Sequence, residues 1–195
     1  MNTLYTIGYC RYSPESFLDT MRKHDIGAVV DVRANPYSRT FSFYNQESIN
    51  KFLRINSIYY LSFAKEFGGR PKDPGLYTDD KLDPEKFVAS ENFKRGTKRL
   101  AEGLGKFNVC LMCAQKDPII CHRAILVSHQ FRMLYPDVKI IHITPEKLET
   151  QAELDRRVLA KFHKGQAKLL GSGGPEAKKQ EFMDAYAMQL EESCI

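Results

Sequence analysis

Short apolar runs alternate with longer amphipathic stretches over the first 163 residues of the chain. Residues 3–7 are rich in β-formers and end at Gly8, and residues 26–32 are almost wholly apolar, as in a strand buried on both faces. Further strands are predicted over residues 58–61, 107–113 and 138–143. Helices are predicted between them, over residues 14–24, 46–55, 83–104, 117 or 121 to 134, and 144–163.

This alternation predicts an α/β domain of three layers, Rossmann-like, with a mostly parallel sheet of about five strands and right-handed crossovers. Residues 62–82 interrupt the pattern and are predicted to form a long loop, a feature that is usually functional. A single domain is expected over residues 1–163, followed by a linker over residues 164–175. An amphipathic helical tail over residues 176–195 is expected to contact the domain or a partner.

Composition excludes two classes of protein. Of the 195 residues, 43% are hydrophobic and 27% are charged, which are ordinary globular values and favour neither global disorder nor a membrane protein. The first residues lack the pattern of a signal peptide, and five cysteines is an odd number, so a cytoplasmic protein with reduced thiols is expected. The net charge of +5 favours anionic partners.

Residues that can carry chemistry follow three of the predicted strands. Because parallel strands end at one edge of the sheet, Gly8, Asp31 and Cys113 should lie in one crevice, where α/β proteins usually bind ligands. Arginine forks match phosphate or carboxylate groups, and the first turns of helices attract anions. The residues predicted to bind an anionic ligand are Arg33, Ser38, Arg39, Arg70, Arg123, Tyr9, Cys10 and Gln115.

Cys113 and Cys121 invite three chemical interpretations, namely a nucleophile, a redox pair and a metal site. A thiol near a helix start, beside His122 and Arg123, can ionise at neutral pH. The metal interpretation is disfavoured, because Cys110 and Cys113 are an odd number of residues apart in a strand and point to opposite faces, and a second paired half of a zinc site is missing. The predicted catalytic residues are Cys113, Cys121, His122 and Asp31, with no metal and no cofactor.

These motifs resemble the domain of unknown function 488 family. The resemblance covers residues 3–148 and rests on Thr6-Ile7-Gly8, Asp31-Val32-Arg33, Pro36, Ser38, Arg39, Gly68-Gly69, Leu111-Met112-Cys113-Ala114, Cys121-His122-Arg123 and His142-Ile143. It implies a small α/β fold with a shared site. The family usually has His-Ser at positions 9 and 10, leucine at position 67 and glutamate at position 115, where this chain has Tyr9, Cys10, Phe67 and Gln115. Rhodanese and cysteine-phosphatase domains are more distantly similar, although the loop after Cys113 lacks their glycine and arginine.

Three functions are compatible with this pattern. The leading hypothesis is an enzyme acting on a phosphate-bearing or nucleotide-like substrate, with Arg33, Arg39 and Arg123 holding the anion and a thiolate at Cys113 or Cys121. The first alternative is a nucleic-acid-binding accessory module, in which arginines contact phosphates and loop tyrosines stack on bases. The second is a thiol-based redox sensor. No membrane partner is expected, and the sequence does not predict the oligomeric state.

Overall fold

A six-stranded sheet forms the centre of the protein in a computed structural model, which describes residues 2–162 and 175–192. The strand order is β3-β2-β6-β1-β7-β8; the first five strands are parallel and β8 pairs antiparallel with β7. The α/β fold class is therefore confirmed. The strands are β1 (Leu4–Gly8), β2 (Ile26–Asp31), β3 (Tyr59–Ser62), β4 (Tyr77–Thr78), β5 (Lys81–Leu82), β6 (Asn108–Cys113), β7 (Ile140–Ile143) and β8 (Leu148–Thr150).

Helices cover both faces of the sheet, as the predicted three-layer arrangement requires. They are α1 (Pro14–Lys23), α2 (Gln46–Ile55), α3 (Ala64–Phe67), α4 (Pro84–Ala89), α5 (Glu91–Leu104), α6 (His129–Leu134), α7 (Gln151–Phe162) and α8 (Pro175–Glu192). On one face Phe17 of α1 and Leu53 of α2 pack with Cys110. On the other face Leu100 of α5 and Phe131 of α6 pack with Leu111. Apolar burial of this kind stabilises the fold by about 25 cal/mol per Å².

The helix starts follow from their capping residues. The hydroxyl of Ser13 accepts a hydrogen bond from the Ser16 amide, with Pro14 in the first turn of α1. Asp83 and Ser90 cap α4 and α5 in the same way. Each such cap satisfies an amide that has no partner within the helix and contributes about 1 kcal/mol.

The segment after β7 differs from its prediction. Residues 144–163 do not form one helix, because Thr144 and Lys147 close a turn in which the Thr144 amide donates to the Lys147 carbonyl at 3.0 Å. The chain then returns as β8, and α7 begins only at Gln151. The proline in this turn resembles a helix start in the sequence, and the backbone pairing with β7 prevails over that local preference.

The segment after β6 also differs from a single regular helix. A 3₁₀ turn over Pro118–Ile120 is followed by π-helical turns over Arg123–Ser128 and then by α6. The Ser128 hydroxyl donates to the Arg123 carbonyl, five residues back, at 2.7 Å. The wider π turns bury every residue from 123 to 129, whereas Ile120 and Leu134, on either side of these turns, are 44% and 58% exposed.

Two further regions bear on the predicted organisation. Residues 62–82 contain α3, a 3₁₀ turn over Pro74–Leu76 and the small β4–β5 hairpin, so the predicted loop is partly regular.

In α8, Ala185 and Tyr186 are buried against Ile125 and Leu154. Nearly all of the predicted linker, residues 164–174, lies outside the described residues. None of the helices in the described ranges combines the length and apolar content needed to cross a bilayer.

Candidate functional site

The carboxyl ends of β1, β2 and β6 meet at one edge of the sheet. Gly8 is in register with Cys113, and Asp31 is in register with Met112. The loop after β6 lies directly on β1: a Cβ atom on Gly8 would stand 1.7 Å from the Gln115 carbonyl oxygen. Glycine is therefore required at position 8, and this close approach fixes the loop that leads from Cys113 to Cys121.

Two thiols and an imidazole form a compact cluster at this edge. The sulfur atoms of Cys113 and Cys121 and a ring nitrogen of His122 all lie within 4.8 Å of one another. Cys113 and Cys121 are 6% and 1% exposed, while His122 is half-buried. The 3₁₀ turn, capped by the carboxylate of Asp117, returns the chain so that Cys121 reaches Cys113.

The orientation of the His122 ring is set by the backbone. Its Nε2 atom lies 2.9 Å from the Val32 carbonyl oxygen. Because a carbonyl oxygen only accepts, Nε2 carries a hydrogen and donates it. The other nitrogen, Nδ1, is then the one available to the thiols.

Arg123 is completely buried beside this cluster. Its guanidinium donates to the Gln115 carbonyl at 2.6 Å, to the Lys116 carbonyl at 3.3 Å and to the Thr6 hydroxyl at 3.4 Å. All of these acceptors are neutral, and no carboxylate in the described ranges forms an ion pair with the guanidinium. A buried cation without a carboxylate strongly favours a negative charge nearby.

The charge of Arg123 affects the pKa values of the nearby thiols. Burial disfavours a charged sulfur at Cys121, but a hydrogen bond from Cys113, the Arg123 cation and the His122 ring outweigh it and hold the pKa of Cys121 well below its usual range. The pKa of Cys113 is raised by its interaction with Cys121 and by burial. Although burial opposes it, the Cys121 thiolate also raises the pKa of His122. These opposite shifts favour Cys121 as the more acidic thiol of the pair.

Asp31 and Arg33 form a second polar cluster, at the end of β2. The Arg33 guanidinium donates to both Asp31 carboxylate oxygens, with the shortest contact at 2.5 Å, and to the Tyr9 hydroxyl at 3.0 Å. The Tyr60 hydroxyl donates to Asp31 at 2.7 Å, and Arg33 also reaches the Tyr44 carbonyl. Both charged residues are less than 10% exposed. The fork of Arg33 is thus occupied by partners within the protein.

A family model described as "Domain of unknown function DUF488" matches residues 13–129. The chain belongs to this family. The matched range includes Asp31, Arg33 and the segment from Cys113 to Arg123, and leaves Thr6-Ile7-Gly8 and His142-Ile143 outside. Neither the curated proteins nor the solved structures include a match to the chain.

Other predicted binding residues of this DUF488 chain lie around the two clusters. Arg39, Arg70 and the Gln115 side chain are exposed, and Cys10 is half-buried. The Ser38 hydroxyl accepts from the Phe41 amide at 3.1 Å within its own loop. Gly68 packs against Ala34, with a Cβ at Gly68 only 2.8 Å from the Ala34 Cα, so the segment before Arg70 adjoins the loop that carries Arg39. The thiol cluster is therefore buried, and the exposed Arg39 and Arg70 lie on two loops that adjoin each other.

The DUF488 site also contains residues that sequence reasoning did not select. The Thr6 hydroxyl lies 2.9 Å from His142 Nδ1, and His142 Nε2 lies 3.1 Å from the Gln151 amide oxygen. Gln151 then donates to Asp155 and to the Tyr186 hydroxyl, each at 3.0 Å. Burial and the Arg123 charge lower the pKa of His142 to about 3. This buried chain of polar groups links Arg123 to α8, and the sequence signals for it are Thr6 and His142, polar residues within otherwise apolar strands.

Proposed function

We propose that this protein is a thiol-based redox protein in which Cys121 is the attacking thiolate and Cys113 the resolving thiol. The observation that carries the proposal is the cluster of the two sulfur atoms and the His122 ring within 4.8 Å, beside a buried arginine that forms no ion pair with a carboxylate of the described residues. Low-pKa thiols next to a second cysteine are the usual redox-sensing arrangement.

The reaction proposed for a hydroperoxide oxidant has two balanced steps. The Cys121 thiolate attacks one peroxide oxygen and breaks the O–O bond, giving a sulfenic acid and hydroxide, or alkoxide from an organic peroxide. The Cys113 thiol then attacks the sulfenic sulfur, forming the Cys113–Cys121 disulfide and releasing water. Arg123 and His122 stabilise the thiolate before the first step. The low exposure of both sulfur atoms favours a small oxidant over a bulky electrophile.

The test is disulfide mapping after treatment with hydrogen peroxide. Peptide mass spectrometry with differential alkylation should show a Cys113–Cys121 disulfide, and Cys113→Ser should instead accumulate a sulfenic acid on Cys121 that dimedone traps. Cys110→Ala is the matched control, because Cys110 is equally buried but lies on the opposite face of the sheet. The proposal is contradicted if Cys113 and Cys121 remain reduced under conditions that oxidise the half-buried Cys10.

A second candidate is an enzyme that uses the same thiolate on a phosphate-bearing or nucleotide-like substrate. The net charge of +5 and the exposed Arg39 and Arg70, on adjoining loops, favour it. Arg33 and Arg123 support it less than the sequence suggested, because their guanidinium groups already bond within the protein. Among the loop tyrosines proposed to stack on bases, Tyr9 is buried and Tyr37 is 64% exposed.

Titrations with inorganic phosphate, a nucleoside monophosphate and a mixed-sequence oligonucleotide separate these ligands. Binding of the small phosphates that weakens in Arg39→Ala and Arg70→Ala supports the enzyme candidate. Oligonucleotide binding alone, with a steep dependence on salt, favours the nucleic-acid module instead. No binding by any of the three at low salt contradicts both.

A further inference from the structure

We propose that the reduced protein binds one thiophilic divalent cation, Zn²⁺, through the sulfur atoms of Cys113 and Cys121 and Nδ1 of His122. The fourth coordination position would be open to water or a ligand. The inference goes beyond redox chemistry and does not depend on it, because it concerns the dithiol state alone. The sequence disfavoured a metal site because Cys110 and Cys113 point to opposite faces of one strand. In the fold, the cysteine that lies next to Cys113 is Cys121.

The distances suit a tetrahedral ion. Zn–S bonds of about 2.3 Å and Zn–N bonds of about 2.0–2.1 Å place the ligand atoms of a tetrahedral site roughly 3.3–3.8 Å apart. The two sulfur atoms and a ring nitrogen of His122 all lie within 4.8 Å of one another. Metal binding therefore requires the ligand atoms to approach one another by roughly 1 Å.

The histidine is already held as a metal ligand needs to be. Metal-binding histidines usually donate their second ring hydrogen to a carbonyl or carboxylate, which fixes the tautomer. The Nε2–H group of His122 donates to the Val32 carbonyl at 2.9 Å. The Val32 amide in turn donates to the Met112 carbonyl of β6 at 3.1 Å, so this acceptor is fixed to the sheet.

The charges of the site favour bound metal with an anionic fourth ligand. Two thiolates cancel the charge of Zn²⁺, and a hydroxide or anionic ligand in the open position would leave one negative charge. Arg123, buried and without a carboxylate partner in the described ranges, supplies the matching positive charge. Among the described residues no fourth metal-ligating side chain joins the cluster, and three protein ligands with one open position are typical of catalytic zinc sites.

The test uses the full chain, reduced and stripped of metal, titrated first with Co²⁺ and then with Zn²⁺. We expect one Co²⁺ per chain, with thiolate charge-transfer absorption and the visible bands of tetrahedral cobalt, and loss of both on addition of Zn²⁺. Cys121→Ser and His122→Ala should weaken binding by about 10–100-fold or more. Cys110→Ala should bind as the unchanged protein does.

Two further measurements do not depend on whether a variant folds. Zn²⁺ should slow alkylation of Cys121 by iodoacetamide in the unchanged chain, and peroxide treatment that forms the disulfide should abolish Co²⁺ binding. Absence of tetrahedral cobalt bands, or binding by Cys113→Ser and Cys121→Ser that is as tight as binding by the unchanged protein, overturns the site. Binding of Cu⁺ without Co²⁺ or Zn²⁺ overturns the divalent assignment. Disulfide formation without metal binding overturns this inference alone, and metal binding without disulfide formation overturns the redox proposal alone.

Discussion

Arg33 and Arg123 stand at the same edge of the sheet and are both buried, but their charges are balanced differently. Arg33 binds the carboxylate of Asp31 through two of its nitrogens. Arg123 binds two backbone carbonyls and the Thr6 hydroxyl, none of which is charged. Because both arginines are buried, burial alone does not show which of them affects neighbouring groups. The arginine without a carboxylate partner among the described residues, Arg123, is the one that helps to lower the pKa of Cys121.

The largest expected effect is the loss of stability in Arg33→Met. Removing the guanidinium leaves the Asp31 carboxylate 1% exposed and without its cation, which costs about 3–5 kcal/mol in the free energy of unfolding. The pKa of Cys121 should not change. Urea denaturation measures the first quantity, and the pH dependence of iodoacetamide alkylation measures the second.

The control for this prediction is the double variant Asp31→Asn with Arg33→Met. It removes both charges, so it should recover a large part of the lost stability. A double variant as unstable as Arg33→Met would mean that the hydrogen bonds of Arg33 to Tyr9 and Tyr44, rather than its charge, stabilise the fold.

Arg123→Met should have a smaller effect on stability and a larger one on chemistry. The lost hydrogen bonds leave buried carbonyl groups without donors, at a cost of about 1–3 kcal/mol. Because the Arg123 cation helps to lower the pKa of Cys121, that pKa should rise toward its ordinary range. Alkylation of Cys121 would then require a higher pH. An unchanged alkylation profile would contradict the contrast between the two arginines.

The same pKa shift predicts the pH dependence of stability. The folded pKa of Cys121 lies below its unfolded value of about 8.5, so the thiolate contributes stability that is fully present above that pH. This contribution is lost as pH falls through the folded pKa. In Arg123→Met the loss of stability between the unfolded and the folded pKa of Cys121 should be smaller. In Arg33→Met this loss should remain unchanged.

The sequence predicted the layers and the edge where the site lies because periodicity reports burial along a strand or helix. It also placed Cys110 and Cys113 on opposite faces of the sheet, and the two residues belong to different core clusters. It could not predict the partners of Arg33 and Arg123, which depend on side-chain contacts between distant segments. The π turns after Cys121 were missed for a related reason: the extra residue in each turn is stabilised by burial and by Ser128, and changes no local propensity.

Two variants that each remove one hydroxyl group test single hydrogen bonds around Arg33 and Arg123. Tyr60→Phe removes a donor to Asp31, and Thr6→Val removes the hydroxyl that accepts from Arg123 and donates to His142 Nδ1. Each should lower the free energy of unfolding by about 1–2 kcal/mol, because a buried polar partner is left unsatisfied. Thermal denaturation checks both. Only Thr6→Val should also alter alkylation of Cys121, and an altered profile in Tyr60→Phe would show that the two clusters are coupled.

The smallest expected effect concerns an arginine that has a carboxylate partner but is not buried. Arg95 is 54% exposed and lies 3.5 Å from the Glu66 carboxylate, which Arg99 binds at 2.6 Å. Arg95→Ala should cost about 0.5 kcal/mol or less, because solvent screens the pair and Glu66 keeps Arg99. Arg99→Ala, the matched variant, should cost about 1–2 kcal/mol, since it also removes the guanidinium stacked 4.2 Å from the Phe63 ring. Equal costs in urea denaturation would show that neither the shorter ion pair nor the Phe63 contact adds to the energetic value of Arg99.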